Sequence, residues 1–216
     1  MKAVVLFSGG LDSTVILAKA IAEGKQCLAL AFDYGQRHRV ELEAAAKIAN
    51  HYQIPLRVIS ITPQVFGNSA LVSDEKISQN RSPEEIASEG VPTTYVPARN
   101  TLFLAYALGH AEMMGAEEIH FGCNQMDLNA YPDCSPEFIS AFQGVMNVAT
   151  KQAVEGNPPK LVCPLIDMEK TEIVNLGKQL NVPIEMTHSC YDPTPAGTAC
   201  GVCDACILRE KAMNYS

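Results

Sequence analysis

Apolar positions along the chain fall into two alternating kinds of run. Ala3 to Phe7 is a short, Val-rich apolar stretch of the length of a buried strand, and Val15, Ile16 and Leu17 open a helical pattern just beyond it. Gln26 to Gly35 predicts a second buried strand. Arg39 to Tyr52 predicts an Ala-rich helix with apolar spacings of three and four, and Pro55 to Ile61 a third strand. Further on, Thr101 to Gly115 predicts an apolar helix, Glu118 to Asn124 a strand, Pro136 to Val154 a helix, Leu161 to Ile166 a strand and Lys170 to Leu180 a helix. This alternation predicts an α/β fold, a doubly wound parallel sheet with helices on both faces and ligands beyond the carboxyl ends of the strands.

The periodicity fades between Thr62 and Pro97, where Ser, Asn, Pro and Gly accumulate. A connection of that length in a compact domain is either a lid, the reading preferred here, or a disordered segment, with QVFGNSAL (64–71) able to add a short helix. Organisation is expected as a nucleotide-binding α/β domain over 1–184, with a small metal-binding segment over 185–216 packed on it.

Between the first strand and the first helix the chain reads SGGLDS, Ser8 to Ser13. Gly9 and Gly10 permit a tight turn and close approach to a ligand, while Ser8, Asp12, Ser13 and Thr14 suit a helix N-terminus, which attracts anions. The Walker pattern, with its Gly-Lys-Ser/Thr, is absent, and so is the third glycine of a dinucleotide fingerprint. The turn resembles the SGGxDS loop of the PP-loop ATP pyrophosphatases. That resemblance implies an ATP site formed by Phe7, Ser8, Gly9, Gly10, Leu11, Asp12, Ser13, Thr14, Val15, Ile16 and Leu17.

Composition narrows the picture. A net charge of −8 argues against broad nucleic-acid binding and favours a small-molecule substrate. No apolar run is long enough to span a bilayer. The first residues run straight into the glycine turn, so a cytoplasmic location is expected. Four of the eight cysteines lie between Cys190 and Cys206 in the spacing C-x9-C-x2-C-x2-C. Cys190, Cys200, Cys203 and Cys206 suit one tetrahedral ion, structural zinc, because four thiolates leave no open position for substrate. An iron-sulfur cluster is the rival: the triplet fits, but the fourth Cys three residues on, followed by Pro, is missing. His188 is expected beside the metal or the substrate. Cys27 and Cys163 read as small buried hydrophobes, and Cys123 and Cys134 lack an evident base partner.

SGGLDS, VPARN (96–100), YPDC (131–134), PLIDMEKTEI (164–173) and the terminal cysteines together resemble the 7-cyano-7-deazaguanine synthases of queuosine biosynthesis, over essentially the whole chain. The one departure is Ala98, where glycine is expected. The resemblance implies a ligase that converts 7-carboxy-7-deazaguanine and ammonia, through an amide, into the nitrile, spending ATP with Mg²⁺ and releasing AMP and pyrophosphate. It implies catalytic roles for Asp12, Lys170 and Arg99, and recognition of the base by Asn124, Tyr131 and either Asp127 or Asp133. It also allows a homodimer. No glutaminase domain fits in this length, so ammonia is expected to be free or delivered by a partner. Two other readings stay open: a PP-loop tRNA-thiolating enzyme, and a zinc-stabilised module that senses ATP without turning it over.

Overall fold

The computed structural model describes residues 1–66, 69–88 and 90–216, with the backbone alone at Asn129. Its strands are β1 (Lys2–Leu6), β2 (Gln26–Asp33), β3 (Leu56–Ser60), β4 (Glu118–His120) and β5 (Lys160–Val162). They form one all-parallel sheet in the order β3-β2-β1-β4-β5. The helices are α1 (Leu11–Ala22), α2 (Val40–His51), α3 (Pro83–Ser88), α4 (Arg99–Met114), α5 (Asp127–Ala130), α6 (Pro136–Met146), α7 (Lys151–Val154), α8 (Lys170–Gln179) and α9 (Asp204–Asn214).

Successive side chains of a strand point to opposite faces, and here both faces are covered. Val4, Leu6, Leu30 and Phe32 pack with Leu104, Ala107, Leu108 and Ala111 of α4. Val5, Phe7, Cys27 and Ala29 pack with α1, with Ala45 and Ile48 of α2, and with Ile173 and Val174 of α8. The near-continuous apolar strands and Ala-rich helices thus follow from double burial. Strand order reverses at β1, which pairs with β2 on one side and β4 on the other. The crevice beyond that reversal is where a doubly wound sheet takes a ligand.

Several boundaries differ from the sequence expectation. β4 and β5 have three residues each, because the apolar residues after them leave the ladder to line the crevice or the core. The helix expected over 136–154 is two, α6 and α7, parted where Thr150 caps α7 by accepting the Ala153 N–H at 3.1 Å. The C-terminal helix α9 was not anticipated; it packs on α8, and Arg209 donates to the Ile184 carbonyl at 2.8 Å. A 3-10 turn spans Pro63–Phe66, and the helix expected over 64–71 includes residues 67 and 68, which lie outside the described residues. Among the described residues, no helix is long and apolar enough to cross a membrane.

Ala98, the N-cap of α4, has φ +53° and ψ +20°, in the left-handed region that disfavours a Cβ. Ala98→Gly should therefore stabilise the protein by about 1 kcal/mol and raise Tm by about 2–4 °C, read by thermal denaturation. An unchanged or lowered Tm would show that the turn carries no such strain.

Candidate active site

Ser8 to Ser13 leave the carboxyl end of β1 and enter α1. Gly9 has φ +82°, and a Cβ on it would lie 2.5 Å from the Ala45 nitrogen and 2.6 Å from the Glu41 carbonyl oxygen. Only glycine lets the turn press against α2 in this way. Gly10 is the N-cap of α1 and offers no side chain to its first-turn N–H groups, which remain for an anion. The hydroxyls brace the turn. Ser8 Oγ lies 3.2 Å from Ser13 Oγ and accepts the Gly10 N–H at 3.2 Å, and Thr14 Oγ1 donates to the Gly10 carbonyl at 2.7 Å.

A cavity of about 300 Å³ opens in front of the turn. Phe7, Ser8, Gly10, Leu11, Asp12 and Ser13 line it, together with Arg99, Asn124, Asp127, Tyr131 and Lys170. Residues named from four separate stretches of sequence therefore line one cavity. Lys170, the first residue of α8, reaches both carboxylate oxygens of Asp12 at 2.6 and 2.7 Å, and Asn124 Nδ2 donates to Asp12 Oδ2 at 2.8 Å. Arg99 donates to the Tyr34 hydroxyl at 3.4 Å and lies 5.9 Å from the centre of the Phe103 ring. No ion pair to Arg99 exists among the described residues. A half-buried guanidinium with carboxylates near but none in direct ion-pair contact keeps donors free, so this end of the cavity can take negative charge.

Asp127 accepts the Asn124 N–H at 3.0 Å, and burial, then the neighbouring Asp12 charge, push its carboxyl up to about 6 against the pull of Lys170. It also lines a second cavity of about 320 Å³, which shares Met126, Tyr131, Tyr191, Ala205 and Leu208 with the first and is bounded by Ile86 and Ala87 of α3. Asp133 does not reach either cavity. Its Oδ2 accepts the Asn100 N–H at 3.0 Å and so caps α4, so of the two aspartates considered, Asp127 faces the ligand space. Val15, Ile16 and Leu17 are wholly buried in the core behind the turn, and Thr14 likewise supports the turn without facing the cavity.

Cys190, Cys200, Cys203 and Cys206 bring their sulfurs within 4.8 Å of one another, with Cys200 and Cys206 at 4.0 Å. Zinc-sulfur bonds of about 2.3 Å would set tetrahedral sulfurs about 3.8 Å apart, so the donor set fits one four-coordinate ion. The segment around them closes the cavity. The His188 N–H donates to the Gly9 carbonyl at 3.0 Å, and Ser189, Tyr191, Ala205 and Leu208 complete the wall. Residues 79–81 dock on this segment: Gln79 bridges to Cys203, the Asn80 N–H donates to the Val202 carbonyl at 2.8 Å, and Arg81 pairs with Asp204. The interval from 62 to 97 is thereby fastened to the cysteine segment over its described residues.

Cys123 and Cys134 are buried and hold their thiols protonated. A hydrogen bond with Cys163 and burial push Cys123 up, and burial pushes Cys134 up, which leaves neither a nucleophile at neutral pH. Sequence reasoning overlooked Tyr34, His38 and Glu41, which line the cavity. The available signal was the polar cluster DYGQRH at the carboxyl end of β2, the same end at which the glycine turn leaves β1.

A family model described as Queuosine biosynthesis protein QueC matches residues 2–216. The chain is 51% identical over 214 residues to a 7-cyano-7-deazaguanine synthase of Solidesulfovibrio magneticus, covering 98% of this chain and 91% of that protein. It is 50% identical over 215 residues to one of Nostoc punctiforme, covering 99% and 95%. Among solved structures, the fold is similar to the U34-tRNA thiolase NcsA from Methanococcus maripaludis with its 4Fe-4S cluster, at TM-score 0.50 and 15% identity over 99% of this chain and 64% of that one. A 4-thiouridine synthetase in complex with RNA and bound ATP gives TM-score 0.50 and 20% identity over 99% and 53%. Those two likenesses concern the fold alone. Half identity along nearly the whole length, on a chain whose glycine turn, Arg99 helix and cysteine cluster meet at one crevice, places this protein in the QueC family of queuosine biosynthesis.

Proposed function

We propose that this chain converts 7-carboxy-7-deazaguanine, ATP and ammonia into 7-cyano-7-deazaguanine, through an amide. The observation that carries the reading is the shared wall. Asp127 and Tyr131 belong to both cavities, so a base held in the second presents its substituent to the anion-binding end of the first. A carboxylate is a poor electrophile at neutral pH; attack on the α-phosphate of ATP turns it into an acyl-adenylate with pyrophosphate as leaving group. Charge then builds on phosphate oxygens, and its stabilisation is the main catalytic task.

The first-turn N–H groups of α1 with Ser8 and Ser13 take the pyrophosphate, and Arg99 and Lys170 supply positive charge. Asp12, acceptor-only when ionised, orients Lys170 and helps hold the Mg²⁺ that accompanies ATP. Asp127 accepts the donor edge of the guanine-like ring, with Asn124 and Tyr131 positioning it. Dehydration of the amide requires a second adenylation of oxygen in the same pocket. The cysteine cluster holds zinc as a structural ion, since four thiolates complete its coordination and its folding energy fastens the wall that carries His188 and Tyr191. A tRNA-thiolating role is less well supported: net charge is −8, and the half-identical relatives are named for the deazaguanine reaction.

Incubation with 7-carboxy-7-deazaguanine, ATP, Mg²⁺ and an ammonium salt should give the nitrile with AMP and pyrophosphate and no ADP, followed by chromatography; the amide offered alone should also yield nitrile. ADP formation, or an inert amide, would sink the two-adenylation scheme.

The Asp127 carboxyl must be ionised to accept N–H donors, and it becomes so above about pH 6. The value of kcat/KM for the carboxy-deazaguanine should therefore fall about ten-fold per pH unit below that point. Asp127→Asn should remove this limb and lower kcat/KM at pH 8 by about ten- to a hundred-fold. An unchanged profile in the variant would assign base recognition elsewhere.

Purified protein should carry zinc near one per chain and be colourless, and Cys203→Ser should lose the metal and lower soluble yield. Iron and sulfide in stoichiometric amounts after anaerobic purification would put thiolation first.

A further inference from the structure

Glu41 lines the first cavity and has no part in the chemistry above. It sits in the first turn of α2 beside the glycine turn, its side chain 12% exposed. Gln36 Nε2 donates to Glu41 Oε1 at 2.9 Å. Gln36 is itself fixed by backbone: its Oε1 accepts the Tyr34 N–H and its Nε2 donates to the Phe32 carbonyl, each at 2.9 Å. His38 Nε2 faces the other carboxylate oxygen at 3.5 Å. His38 is 6% exposed, and its Nδ1 is buried without a hydrogen-bond partner among the described residues. Arg99 faces this pair from α4, and His188 and Tyr191 face His38 from the cysteine segment.

This arrangement is not an ordinary helix-end carboxylate. Among the described residues no Lys or Arg lies in ion-pair contact with Glu41; an amide and an imidazole touch it directly, and Arg99 acts on it from farther off. Burial, then the Arg99 and His188 charges, push His38 down to about 3, so the imidazole is neutral at pH 7. Burial pushes Glu41 up to about 7, against the Gln36 hydrogen bond and Arg99. A buried carboxylate whose direct partners are neutral, with Arg99 acting only from a distance, is further stabilised by an arriving cation, and an acid of that strength exchanges a proton near neutrality.

The amidation step has an unmet need of this kind. Ammonia, a simple amine of the class whose pKa in Lys is about 10.4, is present at neutral pH almost wholly as ammonium, which has no lone pair to attack with. We propose that Glu41, fixed by Gln36 and backed by His38, is the subsite that takes ammonium from solution and receives its proton. The proposal rests on the amidation reading above. Ammonium gives one proton to the Glu41 carboxylate; the freed nitrogen lone pair forms a C–N bond at the acyl carbon, and the C–O bond to AMP breaks with its electron pair leaving on the AMP phosphate. A second N–H proton passes to water, and Glu41 releases its own to solvent before the next cycle.

The test compares nucleophiles in wild type and Glu41→Gln. With 7-carboxy-7-deazaguanine and ATP, the variant should raise KM for ammonium by about ten- to a hundred-fold, the worth of one charge-assisted hydrogen bond, with KM for ATP shifted less than about two-fold. Hydroxylamine, similar in size but largely unprotonated at pH 7, should form the hydroxamate with a much smaller loss. Exchange of labelled pyrophosphate into ATP, which precedes ammonia, should depend on the acid substrate and fall far less than amide formation. An unchanged KM for ammonium, or equal losses with the two nucleophiles, would overturn the subsite. If Glu41→Gln does not fold by circular dichroism, Glu41→Asp, which keeps the charge but withdraws it, should raise KM for ammonium several-fold; no rise overturns the proposal equally. Wild type that fails to exchange pyrophosphate with the acid present would count against the amidation reading itself, a result distinct from either loss in the variants.

Discussion

Contact between the Gly9 backbone and the first turn of α2 is the constraint on which the site depends. The turn after β1 must reverse quickly enough to start α1, and it does so by lying within van der Waals range of the Glu41 carbonyl and the Ala45 nitrogen. Any Cβ there would force α2 away from the sheet. That one contact sets the first-turn N–H groups of α1 toward the crevice and brings the Gln36, His38 and Glu41 cluster beside them. Anion binding and the acidic wall are thus consequences of the same backbone approach.

The far wall is assembled by a different means. The stretch from Thr187 to Cys206 is rich in Pro, Gly, Thr and Asp and has few large apolar side chains, and clustering of its four cysteines gives it a centre of cohesion. The segment so formed ties back to the glycine turn through the His188 N–H and to residues 79–81 through Val202, Cys203 and Asp204. The cysteine cluster, which lines neither cavity through its sulfur ligands, therefore shapes the crevice through the segment it holds together.

Charge within the crevice is arranged in matched and unmatched parts. Asp12 and Lys170 neutralise one another, whereas neither Arg99 nor Glu41 has a Lys, Arg or carboxylate in direct ion-pair contact among the described residues, and they act on one another only from a distance. Burial makes each unmatched group expensive in the free protein, and a ligand of opposite sign relieves it. Arg99 is delivered by the helix whose N-cap, Ala98, is held in the left-handed region, so local strain and the placement of a cation on the cavity wall coincide at one turn.

Sequence alone determined the parallel α/β class, the glycine turn between β1 and α1, and the clustering of four cysteines near the C-terminal end. Each depends on short-range physics: burial on two faces writes apolar runs, a tight turn demands glycine, and a tetrahedral ion needs clustered sulfurs within a short span. Lys170 and Arg99 were named from the family resemblance, and the structure places both on the wall of one cavity. Tertiary structure decided the rest. Whether Asp127 or Asp133 faced the ligand space depended on which one capped α4, a contact across 33 positions that no local pattern records. The Gln36, His38 and Glu41 cluster was hidden for a similar reason: its residues are ordinary for a loop and a helix start, and they become a site only because β2 ends beside β1. The break between α6 and α7 escaped notice because the apolar spacing runs on through it, while the Thr150 cap that ends it is a single hydrogen bond.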